Sequence, residues 1–184
     1  MGGRDPGGRG GRIIKVTTLA SEGPGSFREA LEAKGPRIIV FEVGGVIDLD
    51  RKTLKVEEPF VTIAGQTAPS PGITLIRGGM DVSAHDVVMQ HIRVRPGEAG
   101  QPKKSGWEED AFSTVSGAYN VIVDHCTFTW ATDENLSVSG LRFVGKTPTT
   151  GGRPPATASP IPTTSSPRAW PIRPMPRSSI PRVA

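Results

Sequence analysis

The sequence predicts an all-β solenoid, a parallel β-helix that carries one short helix near its N-terminus. Short β-rich runs recur through the first 146 residues, and Gly, Pro and Asn separate them, as expected of strands joined by turns. Three of these runs begin alike, with FVTI at 60–63, DVVM at 86–89 and NVIV at 120–123, so their starts lie 26 and 34 residues apart. A similar strand at uneven intervals of this size is typical of stacked coils in which only the loops vary in length.

The main alternative is a β-sandwich, which would also consist of short strands separated by turns. A sandwich joins many neighbouring strands by tight hairpins, and the two-residue turns that mark such hairpins are missing between these runs. The pattern therefore favours stacked coils.

The individual elements are predicted in chain order. The helix lies at SFREALEA, because Ser26 can cap its first turn and Glu29, three residues later, completes a capping box. Gly35-Pro36 is expected to end it. The strands are predicted at RIIVFEV (37–43), FVTIAG (60–65), ITLIRG (73–78), DVVMQHIRVR (86–95) and NVIVDHCTFTW (120–130).

The composition changes after Lys146. Residues 147–184 hold ten of the 18 prolines and contain no Asp, Glu, Asn, Gln, Lys or Leu. A stretch rich in Pro, Ser, Thr and Arg is typical of a disordered linker, and the same composition results when GC-rich DNA is translated out of frame. We favour the second interpretation, with residues 1–146 as N-terminal coils and 147–184 as a disordered tail produced by a shifted reading frame.

The net charge of +4 does not indicate a nucleic-acid partner for the predicted coils. Five arginines and no acid lie in 147–184, which leaves 17 basic against 18 acidic residues in 1–146. A nucleic-acid-binding tail is the rival reading, and it predicts salt-sensitive binding that is lost with the tail. The single Cys126 excludes an internal disulfide. No run approaches the roughly 20 apolar residues of a membrane helix, and the N-terminus as written lacks the apolar core of a secretory signal.

The last predicted strand contains more ionisable groups than a buried strand usually tolerates. It begins with the apolar residues 121–123 and continues with Asp124 and His125, and Asp133 and Glu134 follow a few residues later. A buried carboxylate needs a partner or a metal. The sequence therefore indicates either an unusually polar strand edge or a chemical site beside it.

Several motifs occur in an order that resembles a known enzyme family. They are GGRGGRIIKVTTL, GPGSFREAL, GPRIIVFEVGGVIDL, PFVTIAGQTAPSPGITL, HIRVRPG and DAFSTVSGAYNVIVDHCTFTWATDENLSV, and together they span nearly all of residues 7–146. This order resembles the bacterial pectate lyases of polysaccharide lyase family one. The resemblance implies a right-handed parallel β-helix, here incomplete, and an extracellular enzyme that cleaves polygalacturonate by β-elimination, usually with calcium.

The resemblance also implies which parts of the reaction this chain can perform. In the family, calcium joins enzyme carboxylates to the substrate uronate and makes the C5 proton more acidic, and an arginine removes that proton. That arginine lies on coils after the acidic segments, and no arginine in 147–184 fits its pattern. We therefore expect a monomeric, inactive fragment without a catalytic residue, whose partner is acidic polysaccharide. The rival is a non-catalytic β-helix that binds an acidic glycan.

The resemblance assigns the calcium ligands to two successive coils. Asp110, in WEEDAF, matches the family's first calcium aspartate, and Asp133 and Glu134, in ATDENLSV, match its acidic segment one coil later. Equivalent points on successive coils lie roughly 4.8 Å apart, so these acids could share one ion. Ser137 stands where some members carry a further Asp, and Glu108 or Glu109 could assist instead. The alternative is a solvated acidic rim.

Two further motifs carry candidate polar groups. Arg93 and Arg95, in HIRVRPG, share one strand face and are candidates for binding substrate carboxylates, although two exposed strand arginines would look the same. Asp124 and His125 match the family's DH pair. Adjacent strand residues point to opposite faces, so we expect no hydrogen bond between their side chains and a structural role for both.

Overall fold

The computed structural model describes residues 7–102, 105–115 and 117–139 of the chain. Within these ranges the backbone is almost entirely short strands, with one α-helix, α1 (Phe27–Glu32), and one 3-10 turn, Gly65–Thr67. The strands are β1 (Arg12–Val16), β2 (Arg37–Phe41), β3 (Gly45–Asp48), β4 (Leu54–Val56), β5 (Val61–Ala64), β6 (Ile73–Ile76), β7 (Met80–Val82), β8 (His85–Gln90), β9 (Ile92–Arg95), β10 (Phe112–Thr114), β11 (Tyr119–Asp124), β12 (Thr127–Phe128) and β13 (Ser137–Val138).

The strands form three parallel sheets that share the same coils. Sheet 1 has the order β1-β2-β5-β8-β11, sheet 2 has β12-β9-β6-β3 and sheet 3 has β13-β10-β7-β4. Chain order passes from sheet 1 to sheet 2 to sheet 3 and back, and every pairing is parallel. The predicted parallel β-helix is therefore confirmed, and the β-sandwich, which is built from antiparallel strands, is excluded.

The predicted repeat corresponds to the coils themselves. Val61 pairs with Val87, and Val87 pairs with Val121, so the intervals of 26 and 34 residues are coil lengths. The residue before each of these valines has a positive φ: Phe60, Asp86 and Asn120. The similar run starts thus mark the same left-handed corner, where each coil enters sheet 1.

Two of the predicted strands are each divided in the structure. The run 86–95 forms β8 and β9 with His91 between them, and the run 120–130 forms β11 and β12 with His125 as part of the break. Both histidines have positive φ, 55° and 53°. This left-handed conformation turns the chain from sheet 1 into sheet 2, so one apolar run supplies strands to two sheets.

The interior consists of side chains stacked along the solenoid axis. In sheet 1, Ile39, Ile63 and Met89 are aligned by the strand register and are at most 1% exposed. Burial of such a side chain stabilises the fold by about 1.5–3 kcal/mol. Cys126 and Phe128 are partly buried and pack against this core.

Helix α1 packs its apolar face against the solenoid. Phe27, Ala30 and Leu31 are buried, and the Phe27 ring meets that of Phe41 edge-on at 5.2 Å. The Ser26 hydroxyl accepts a hydrogen bond from the Glu29 N–H at 3.2 Å, as the capping box predicts. The helix ends at Glu32, before the predicted stop at 35–36.

Replacing Ser26 with Ala should lower the free energy of unfolding by about 1 kcal/mol, because the Glu29 N–H loses the hydroxyl that caps the first turn. Urea unfolding followed by circular dichroism measures this. Ser21→Ala is the matched control outside the helix, and an equal effect of both variants would contradict the capping role.

The predicted boundary at Lys146, the tail 147–184 and its reading frame lie outside the described residues and stay predictions. Among the described residues, no helix has the length and apolar character needed to cross a membrane.

Candidate functional site

An acidic cluster lies where two successive coils enter sheet 3. Asp110, Asp133 and Glu134 each bring a carboxylate oxygen within 4.8 Å of the others. Asp110 stands two residues before β10, and Asp133 and Glu134 stand shortly before β13, which pairs with β10. The structure thus brings together the three residues that the sequence grouped, although metal binding itself stays a prediction.

Hydrogen bonds donated by backbone N–H groups hold the two acidic segments side by side. The Glu134 N–H donates to Asp110 Oδ1 at 3.0 Å, and the Ala111 N–H donates to the Glu134 carbonyl at 3.0 Å. One residue earlier, the Glu109 N–H donates to Thr132 Oγ1 at 2.9 Å. These contacts fix Asp110 relative to Glu134, so the cluster is set by the backbone of two coils.

Glu109 contacts residues of earlier coils and does not belong to the three-residue group. Its Oε1 accepts hydrogen bonds from Thr53 Oγ1 at 2.6 Å and from the Gly79 N–H at 2.8 Å. A Cβ at Gly79 would come within 1.9 Å of the Asp110 carbonyl, so only glycine allows this approach. Glu108 is exposed and also stands outside the group.

A fourth acid, Asp81, lies beside the cluster and was not predicted. It occupies the centre of β7, directly next to Ser113 of β10 in the register. Burial and then the charges of Glu109 and Asp110 raise the pKa of its carboxyl, while Lys55 opposes the shift. A single Asp in an otherwise ordinary three-residue strand offers no pattern from which this proximity could be predicted.

The carboxylates of the cluster are like charges held close together, and this affects the pKa of one of them. The carboxyl of Glu134 has a raised pKa because of its hydrogen bond to Asp110, followed by the charge of Asp133. Such shifts arise when one carboxylate must ionise beside others. A divalent cation would remove this repulsion, and oxygen ligands from carboxylates are those that calcium prefers.

The two candidate arginines lie on β9 in sheet 2, at alternate, partly exposed positions. Arg93 is tied to the preceding coil, since its Nε donates to Thr74 Oγ1 at 2.9 Å and its Nη2 donates to the Pro71 carbonyl. Arg95 instead places its guanidinium 5.2 Å from the centre of the Trp130 ring. Substrate binding by either arginine stays a prediction.

The expectation that Asp124 and His125 cannot hydrogen-bond to each other is wrong. His125 Nδ1 lies 2.6 Å from Asp124 Oδ1. Strand β11 ends at Asp124, and His125 has a φ of 53°, so the alternation of a strand no longer applies at this pair.

The same pair is also tied to the preceding coil. Gln90 Nε2 donates to Asp124 Oδ2 at 3.0 Å, and the rings of His91 and His125 stack at 4.9 Å. The hydrogen bond from Gln90, followed by that from His125, lowers the pKa of Asp124. These contacts agree with the predicted structural role.

The chain is a parallel β-helix with an acidic cluster where two coils enter sheet 3. Solenoids of this class can present cation ligands from successive coils. No family model matches the chain. Relatives named probable pectate lyase C from Emericella nidulans and Aspergillus terreus are each 42% identical to it over 135 residues, which is 73% of this chain and 30% of the relative. The relative of the same name from Aspergillus flavus is 40% identical over the same length.

The chain is thus similar over 135 residues to proteins that carry the name probable pectate lyase C. The matched relatives are fungal, so the bacterial origin expected from the motifs is not supported. The chain spans 30% of the length of these curated relatives, so their similarity alone does not assign the activity of a whole enzyme to it.

Proposed function

We propose that this chain is part of a calcium-dependent pectate lyase that degrades polygalacturonate by β-elimination. The observation that carries the proposal is the group formed by Asp110, Asp133 and Glu134, whose oxygens lie within 4.8 Å of one another. It occurs in a chain 42% identical to proteins named probable pectate lyase C. The non-catalytic alternative is not favoured by these relatives.

The residues of the cluster fit a calcium ion. Their carboxylates are hard oxygen ligands from adjacent coils. The hydrogen bond between Glu134 and Asp110, followed by the charge of Asp133, raises the pKa of Glu134. Three side chains provide fewer than the 6–8 ligands that calcium usually takes, which leaves positions for water and for substrate carboxylates. The chemistry that calcium would supply is positive charge, which attracts the uronate and makes its C5 proton more acidic.

The remaining parts of the proposed function follow from the resemblance. Asp110, Asp133 and Glu134 would hold the ion, and the backbone contacts of Ala111 and Glu134 would keep the two segments in place. The resemblance places the arginine that removes the proton on coils after the acidic segments. We further propose an extracellular enzyme that acts as a monomer on acidic polysaccharide.

The 184-residue chain should bind calcium and polygalacturonate without cleaving the polymer. Calcium binding is measured by isothermal titration, and cleavage is followed by the ultraviolet absorbance of the unsaturated product. Asp110→Asn should weaken calcium binding about tenfold or more, because affinity depends on the number of charged ligands. Glu57→Gln, at an exposed acid outside the cluster, is the control.

Two results would count against the proposal. Unchanged calcium affinity in Asp110→Asn would remove the metal site from the cluster. Calcium-dependent appearance of unsaturated product from this chain would contradict the placement of the catalytic arginine on later coils.

A further inference from the structure

Trp130 presents a large indole surface on the turn that leads to the acidic cluster. It is 69% exposed and lies between β12 and β13, three residues before Asp133. Its φ of 63° places it in the left-handed region, which residues other than glycine rarely adopt. Its carbonyl accepts a hydrogen bond from the Gly97 N–H at 2.8 Å, so the previous coil holds the backbone in this conformation.

The guanidinium group of Arg95 makes a cation–π contact with this indole. Its guanidinium carbon lies 5.2 Å from the ring centre. Its Nε is buried and has no hydrogen-bond partner among the described residues. Arg93 and Arg77, by contrast, use their guanidinium nitrogens in hydrogen bonds to neighbouring residues. The Trp130 ring is therefore the described contact of the Arg95 guanidinium, and no described acceptor occupies its outer nitrogens.

An aromatic face beside an oriented guanidinium has a definite ligand chemistry. A pyranose ring can place its C–H face on an exposed indole, which offers a large apolar contact. The planar guanidinium forms paired hydrogen bonds with a carboxylate. A hexuronate unit carries both features, since its carboxylate is attached directly to the pyranose ring, whereas a neutral sugar offers only the first.

We propose that Trp130 and Arg95 form a binding subsite for one hexuronate unit of an acidic polysaccharide, with the sugar ring on the indole and its carboxylate on the guanidinium. The identity of the polysaccharide rests on the proposed function, but binding at this subsite requires no metal. It shares a turn with the acidic cluster, because the Thr132 and Asp133 N–H groups, just after Trp130, donate to the Glu109 carbonyl. A polysaccharide bound at the cluster would continue across Trp130.

The test uses the full 184-residue chain in a chelating buffer, with trigalacturonate and its fully methyl-esterified form as the two probes. Binding is measured by isothermal titration and by tryptophan fluorescence. Trp130→Ala should weaken binding of both probes about tenfold. Arg95→Gln should weaken binding of the acid about tenfold and leave the ester within about twofold. Trp130→Phe should retain part of the affinity, and Arg9→Gln, at an exposed arginine far along the chain, should change nothing.

The outcomes separate this subsite from the calcium proposal. Unchanged trigalacturonate affinity in both Trp130→Ala and Arg95→Gln would overturn the subsite, as would the absence of binding by the parent chain in chelator. Equal losses for acid and ester in Arg95→Gln would overturn the carboxylate contact. Calcium titrations without sugar test the acidic cluster independently, and circular dichroism shows whether each variant keeps the parent fold.

Discussion

Replacing Asp133 with Asn should stabilise the chain in a chelating buffer and remove most of its stabilisation by calcium. In chelator, the substitution removes one of the like charges that raise the pKa of Glu134. In calcium, it removes a ligand. A ligand that binds only the folded state adds about 2.7 kcal/mol at one hundred times its Kd. The parent chain should show this gain, and Asp133→Asn should lose most of it.

The pH dependence provides a second readout of the same variant. Raised carboxyl pKa values at Glu134 and Asp81 mean that the folded chain binds their protons more tightly than the unfolded chain does. Their contribution to stability therefore falls as pH rises from the ordinary carboxyl range through the raised pKa values. Calcium affinity should rise over the same window, because its ligands must be deprotonated. Asp48 and Asp124 have lowered pKa values and act in the opposite direction.

Because these groups oppose each other, the informative quantity is the difference between the parent and Asp133→Asn. Thermal unfolding across the carboxyl pH range, with chelator or with calcium, measures it. Glu57→Gln should follow the parent in both buffers. A variant that is destabilised in chelator and still gains the full calcium effect would show that Asp133 is neither repelled by its neighbours nor a ligand.

The coils could be predicted from the sequence because the repeated motif consists of apolar strand residues that recur in each coil. Val61, Val87 and Val121, each the second residue of its run, occupy the same strand position in three coils, so one repeated motif located sheet 1. Strands such as β7 (Met80–Val82) and β13 (Ser137–Val138) were missed, because two or three residues are too few to show alternation. The corners at His91 and His125 were missed since a left-handed residue leaves no mark in hydrophobicity.

The candidate site was predicted only where an acidic motif was present in the sequence. Asp110, Asp133 and Glu134 were grouped correctly because the motifs place them one coil apart at the same edge. Asp81 and Trp130 were missed, since their proximity to the cluster depends on strand register and on one turn. Contacts between coils therefore supply what local patterns omit.

Arg37 illustrates the same point for stability, because its sequence context suggests an ordinary strand residue. It is fully buried, and its side chain donates to five carbonyl oxygens and forms no ion pair with any residue that the structure describes. The acceptors are Ala30, Leu31, Gly35, Pro59 and Glu58, at 2.7 to 3.3 Å. Ala30 and Leu31 belong to the end of α1, so this guanidinium joins the helix to the loop before β5.

Replacing Arg37 with Met should lower the free energy of unfolding by about 2–6 kcal/mol, because the two buried carbonyls, those of Ala30 and Leu31, lose their donor at about 1–3 kcal/mol each. Burial already lowers the pKa of Arg37, so the folded state bears a desolvation cost that these hydrogen bonds must offset. Arg37→Lys, with three donors on one nitrogen, should lose an intermediate amount. Urea unfolding monitored by circular dichroism measures all three chains.

Arg12→Met is the matched control for this substitution. Arg12 is exposed in the neighbouring strand and makes one side-chain hydrogen bond, from its Nη2 to the Lys34 carbonyl at 3.1 Å. A surface change of this kind should cost less than about 0.5 kcal/mol. If Arg37→Met unfolded at the same urea concentration as Arg12→Met, the five carbonyls would have found other donors, and the helix would be held by its apolar face alone.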